Sequence, residues 1–80
     1  MLTAYIESAM ARALFERLAD DGTFYGEIPG FQGVWANAPT PQACRAELQE
    51  VLEDWLLVGL RLGHPLPVVN GIDLNVKVSA

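Results

Sequence analysis

The sequence predicts an α+β domain: a short N-terminal helix, a three-stranded antiparallel meander, a long helix packed on the sheet, and a C-terminal strand. Three observations predict it. Apolar residues recur at helical spacing between a strong start signal and a strong stop signal, from Thr40 to Leu62. An Asp20-Asp21-Gly22 turn signal sits between two segments able to pair as strands. The chain also alternates apolar and polar residues from Ile72 to Val78, the period of a half-buried strand.

Leu2, Tyr5, Ile6, Ala9, Met10 and Ala13 fall on one helical stripe, with Glu7 and Arg12 off it. The first dozen residues therefore read as a short amphipathic helix. The stripe can be drawn on through Leu14 and Leu18, so residues Leu14 to Ala19 are open to two readings. A strand is preferred, because Asp-Gly can supply the positive φ angles of a tight hairpin. Thr23 to Ile28, rich in aromatic and β-branched residues, then returns antiparallel until Pro29 ends it. Gly30-Phe31-Gln32-Gly33 reads as a flexible corner, and Val34 to Asn37 as a third short strand.

Thr40-Pro41 combines a capping hydroxyl with proline at the first helical position, where the missing amide hydrogen is not needed. Cys44, Leu48, Val51, Leu52, Trp55, Gly59 and Leu62 follow as one apolar face. Gly63 stops the helix, and His64-Pro65-Leu66-Pro67 blocks its continuation. Antiparallel strands with the helix across one face bury these patterns in two layers.

Eighty residues allow one domain, expected to span residues 1–80 without a C-terminal DNA-binding domain. Folding at this size removes only roughly 60% of the unfolded surface from water. The usual supports for so small a core are missing: Cys44 is the single cysteine and His64 the single histidine, too few for a disulfide or a structural zinc. With 51% hydrophobic residues, the chain is expected to self-associate as a homodimer or higher homo-oligomer. A net charge of -5 argues against a nucleic-acid groove, and direct DNA binding is not expected. The N-terminus lacks the pattern of a secretion signal and no stretch is long enough to span a bilayer, so a cytoplasmic address without a membrane role is expected.

No catalytic, metal-binding or cofactor-binding residue is expected. Glu47, Glu50, Glu53 and Asp54 are spaced as helix-borne acid/base or metal groups would be, but they lie opposite the apolar face and read as solvated. Glu47, Glu50 and Asp54 form a candidate acidic docking face. Asp20-Asp21 is a turn without the spacing of a calcium loop, and Gly30-x-x-Gly33 lacks the basic residues and helical flanks of a nucleic-acid-gripping loop. Cys44 sits in the apolar stripe as a small core residue, and His64 in the helix-ending loop as a capping or surface residue. Leu57 and Leu60 fall where the long helix is apolar nearly all round, so one sheet face cannot cover them. With Tyr5, Ile6 and Met10 of the first helix, they are the candidate contacts for a partner or a second copy.

Pro29-Gly30-Phe31-Gln32-Gly33-Val34-Trp35-Ala36, then Thr40-Pro41-Gln42-Ala43-Cys44, then Glu53-Asp54-Trp55-Leu56, resemble the HicB-like antitoxin family. The resemblance covers most of the chain. Gln32 stands where that family often has proline, and Ala38-Pro39 where a glycine often precedes the helix cap. The resemblance implies a partial ribonuclease-H-like fold without that enzyme's acidic metal site, and assembly into oligomers. It also implies a partner, a HicA-type toxin: a small basic ribonuclease that cleaves messenger RNA and is silenced in the complex. The expected function is therefore that of an antitoxin-like binding protein and not an enzyme. The alternative is an orphan oligomeric scaffold or regulator of the same fold with no toxin partner.

Overall fold

The computed structural model describes residues 2–75. Its elements run α1 (Leu2–Ala11), β1 (Leu14–Arg17), β2 (Phe24–Glu27), β3 (Trp35–Ala38) and α2 (Pro41–Leu62). The strands form an antiparallel meander in the order β1-β2-β3, and α2 lies across one face, giving the expected two layers.

Helix α1 closes with the amides of Arg12 and Ala13 donating to the carbonyls of Ala9 and Met10, and the chain then extends. The open choice at Leu14 is thereby decided for the strand, which ends at Arg17, two residues before its expected limit. The connection to β2 is wider than a tight hairpin. Leu18 donates to the Thr23 carbonyl and Gly22 to the Leu18 carbonyl, enclosing residues 19–22. Gly22 takes a positive φ of 71°, whereas Asp21 does not. Instead, an Asp21 carboxylate oxygen accepts from both the Thr23 amide and the Thr23 hydroxyl. That local bond competes with the mirror-image turn and fixes a longer one. The same bonds hold the Asp21 carboxyl below its ordinary pKa, the side-chain bond to Thr23 being the main cause.

The register sets Phe15, Gly26 and Ala36 in one row beneath α2, with Arg17, Phe24 and Ala38 in the next inward-facing row. Gly26, Ala36 and Ala38 are small, which lets the start of α2 come down close to the sheet. Cys44 reaches within 3.8 Å of the Ala36 carbonyl through its sulfur and is fully buried. Its thiol pKa is raised, mainly by burial and further by the nearby Glu47 carboxylate, so the group is held neutral.

Helix α2 begins as the sequence predicts. Thr40 is extended at φ -129° and ψ 156°, and its hydroxyl oxygen accepts from the Ala43 amide at 3.1 Å. Gly63, left-handed at φ 71°, ends it, with its amide and that of His64 closing on the Gly59 carbonyl. Cys44, Leu48, Leu52, Leu56 and Gly59 are the buried residues of the helix. The expected stripe is thus shifted: Val51 and Trp55 are half-buried, and Leu62 is exposed. Steps of four residues drift around a helix of 3.6 per turn, so the face that meets a flat sheet need not follow every apolar residue.

The Gly30 to Gly33 corner is not a loose connector. Phe31 is buried, between Ile28 and Val34, which are also buried, and short backbone bonds from Phe31 to Ile28 and from Val34 to Phe31 fold the corner inward. The Phe31 ring meets Tyr5 edge-on at 6.2 Å and Trp55 edge-on at 5.4 Å. Tyr5 in turn donates its hydroxyl to the Pro67 carbonyl. One aromatic junction therefore joins α1, the corner, α2 and the chain after α2.

Beyond α2, Leu66 and Val69 return to the core. Val69 and Ile72 bridge antiparallel across Asn70-Gly71, both of positive φ. The Asn75 side-chain amide both accepts from the Leu66 amide and donates to its carbonyl, imitating a neighbouring strand. The expected last strand, Ile72 to Val78, is corrected over its described part: residues 72–75 fold back on 66–69 and, among the described residues, add no strand to the sheet. Alternation alone cannot tell a strand from a local turn-back closed by a side chain. Residues 76–78 lie outside the described residues.

The close fit of α2 on the sheet can be tested at two positions. A Cβ on Gly26 would lie 2.7 Å from Cε1 of Phe15 and 3.2 Å from the Cys44 sulfur, so Gly26→Ala is expected to cost about 1–3 kcal/mol in urea unfolding. A variant as stable as the wild type would show that the row has slack. Because Cys44 has a raised folded-state pKa, its contribution is intact below the ordinary thiol value of ~8.5 and is lost as pH rises through the raised one. Cys44→Ala should therefore show a shallower decline in stability between neutral and alkaline pH, read from urea midpoints.

Candidate functional site

A three-stranded sheet covered on one side must present the other. Here Leu14, Glu27 and Trp35 form one outward row and Glu16, Tyr25 and Asn37 the next. Trp35 is 55% exposed and Leu14 is 59% exposed, large fractions for apolar side chains in regular structure. The Tyr25 and Trp35 rings stack at 6.1 Å with 23° between their planes. A groove of about 460 Å³ runs beside them, walled by Tyr25, Glu27, Trp35 and the corner at residues 28–34. A smaller hollow of about 250 Å³ lies on the β1 side, between Leu14, Phe15, Glu16, Tyr25 and Glu27. Asn37 pins the far end of the face, its side-chain amide donating to the Thr23 hydroxyl and to the Phe24 carbonyl.

Tyr25 and Trp35 are absent from the residues that sequence reasoning singles out. The signal was present in inverted form. Along β3, and over Tyr25-Gly26-Glu27 of β2, larger residues alternate with glycine or alanine, and the small ones face the core, where the helix needs the room, beside the inward ring of Phe24. A reading that assigns aromatic residues to the interior puts this face the wrong way round.

The second candidate surface lies between the helices. Leu2 and Ile6 of α1 and Leu56, Leu57 and Leu60 of α2 line a groove of about 420 Å³, rimmed by Glu53 and Asp54. Of the apolar contacts expected from the sequence, the structure brings Ile6, Leu57 and Leu60 together here. Tyr5 and Met10 are corrected: they are 0% and 3% exposed, inside the core of the same chain, because α1 turns them onto Phe31 and its neighbours. Leu57, 64% exposed, is the most open of the set.

Glu47, Glu50 and Asp54 are all exposed on α2. Gln49 donates to Glu53 at 3.1 Å, a one-turn contact along the same helix. His64 is exposed at the helix end beside Gly63 and Asn75. Among the described residues no three His, Cys, Asp or Glu side chains are grouped so that they could hold a metal ion, and no helix is long and apolar enough to cross a membrane.

Fold and surfaces together define a class: a small two-layer α+β domain that buries a compact core and exposes an aromatic-acidic sheet face and an apolar interhelix groove. Comparison with known proteins places it more closely. Residues 4–67 match the UPF0150-like family, and the chain belongs to it, a family related to HicB-like antitoxins. The crystal structure of TTHA0281 from Thermus thermophilus is similar at a TM-score of 0.87 and 44% sequence identity, covering 96% of this chain and 95% of that one. No curated protein matches the chain.

The stacked pair contributes to stability as well as to surface. Trp35→Ala is expected to lower unfolding free energy by about 1 kcal/mol through loss of the cross-strand contact, measured by urea denaturation. A loss several times larger would mean that Trp35 belongs to the core and that the face is not free.

Proposed function

We propose that this chain is an antitoxin-like protein that neutralises a HicA-type, mRNA-cleaving toxin by binding it, and that it acts by occlusion and not by catalysis. The observation that carries the proposal is membership, over residues 4–67, of a family related to HicB-like antitoxins. The physical character of the surface supports it. A chain of net charge -5 with exposed carboxylates on α2 attracts a basic protein over a distance of about one Debye length, ~8 Å at physiological salt. Exposed apolar side chains then hold what charge has gathered. Carboxylates seated on the toxin compete with RNA phosphates for the same basic surface, which is how binding alone silences a ribonuclease. The place of action is the cytoplasm, where messenger RNA is available.

Self-association belongs to the same reading. The interhelix groove formed by Leu2, Ile6, Leu57 and Leu60 is the surface assigned to it, since a small domain gains stability by burying such a groove against a second copy. Leu57→Glu should convert the oligomer to a monomer by analytical ultracentrifugation; a wild type that is already monomeric at micromolar concentration removes this part.

The test of function is inhibition in a defined system. A small basic ribonuclease found encoded beside this chain, purified and supplied with RNA, should lose its activity as the chain is titrated to stoichiometric amounts. Undiminished cleavage at large excess would reject the proposal, and absence of any such ribonuclease would favour an orphan scaffold of the same fold.

A further inference from the structure

The open sheet face combines features that select one kind of occupant. Tyr25 and Trp35 are, among the described residues, the one stacked aromatic pair, with Trp35 exposed and Tyr25 half-buried. Glu27 is the cross-strand neighbour of Trp35, and Glu16 that of Tyr25. None of the six residues that the register turns to this face is basic. Aromatic platforms of this kind also stack nucleic-acid bases, but phosphates would then lie against two carboxylates with no cation to hold them. A second copy seated face to face would bring the same carboxylates together, a like-charge contact that opposes pairing.

A guanidinium satisfies both halves of the face. It is planar and stacks on an indole, and its forked N–H groups match a carboxylate in two parallel bonds. The groove beside Trp35, about 460 Å³ and walled on one side by Glu27, has room for the aliphatic stem that carries such a group. We propose that the open sheet face, centred on Tyr25, Glu27 and Trp35, is the docking site for an arginine side chain presented by a basic protein partner. The proposal rests on reading the chain as an antitoxin-like binder, and it assigns to that binder a surface and a recognition chemistry. Glu47 and Glu50, on α2, have no stacked pair beside them. They attract cations at a distance, whereas the sheet face holds one in contact.

The experiment uses the full chain, labelled with nitrogen-15 and titrated with an oligoarginine peptide or an oligolysine peptide of equal length. Shifts should concentrate on the Trp35 indole N–H and on the amides of Tyr25 and Glu27, and oligoarginine should bind more tightly than oligolysine. Trp35→Ala and Glu27→Gln should each weaken oligoarginine by about fivefold or more. Both positions are exposed, and unchanged far-ultraviolet circular dichroism of Glu27→Gln keeps the result separate from unfolding. Shifts centred on α2, or equal weakening by Glu47→Gln with Glu50→Gln, would overturn the proposal, as would loss of self-association in Trp35→Ala. Assays with the toxin separate this inference from the broader one. If wild type, Trp35→Ala and Glu27→Gln neutralise the ribonuclease equally, the docking site is wrong and the antitoxin reading stands. If oligoarginine binds at Trp35 but wild type does not neutralise, the site stands and the antitoxin reading falls.

Discussion

The edge-on contacts of Phe31 with Tyr5 and Trp55 set the position of everything outside the sheet. An aromatic ring gains from an edge-to-face neighbour only at a narrow range of angles, so a ring shared by two others fixes the elements that carry them. Here one partner stands on α1 and the other on α2, and Phe31 itself projects from the turn between β2 and β3. The hydroxyl of Tyr5 extends the same junction to Pro67, beyond the end of α2. In a core assembled from so few large side chains, this junction ties together elements that no disulfide could link, since Cys44 is the single cysteine.

The groove between the helices is a direct consequence. Tyr5, Ala9 and Met10 turn α1 inward, and the opposite edge of that short helix leaves Leu2 and Ile6 facing Leu57 and Leu60 across a gap. A helix as short as α1 cannot cover both the junction and the apolar end of α2. The exposed leucines are therefore the remainder of a packing arrangement already used up by the core.

The sheet follows a different constraint. Helix α2 approaches closely where the strand side chains beneath it are small, so Gly26, Ala36 and Ala38 share the inner rows with Phe15 and Phe24, while Tyr25 and Trp35 lie outward. Period two then places Tyr25, Glu27 and Trp35 together on the open side without any further choice. Helix proximity and an aromatic-acidic outer face are two results of one alternation. The open face and core packing are coupled through the register, and a slip of one residue would exchange them.

The sequence by itself determined the order of the elements from α1 to α2, the limits of α2 to within a residue or so, and the strand character of Leu14 to Arg17 once the Asp21-Gly22 turn was weighed. These depend on local chemistry: a capping hydroxyl, a proline without an amide, a glycine of positive φ, and apolar spacing. Membership of the α+β class and the resemblance to HicB-like antitoxins were legible for the same reason, since both reside in motifs of a few consecutive residues. Tertiary structure alone decided which aromatic residues are inside. Phe31, in a glycine-flanked corner, reads as a loop residue yet lies in the core, whereas Trp35, in a strand whose buried face the sequence leaves open, faces solvent. It also moved Tyr5 and Met10 from the surface to the interior and turned residues 72–75 back on 66–69. Burial is a property of what is packed opposite a side chain, and the partner opposite Phe31, Tyr5 or Trp35 is distant in sequence, where no local pattern records it.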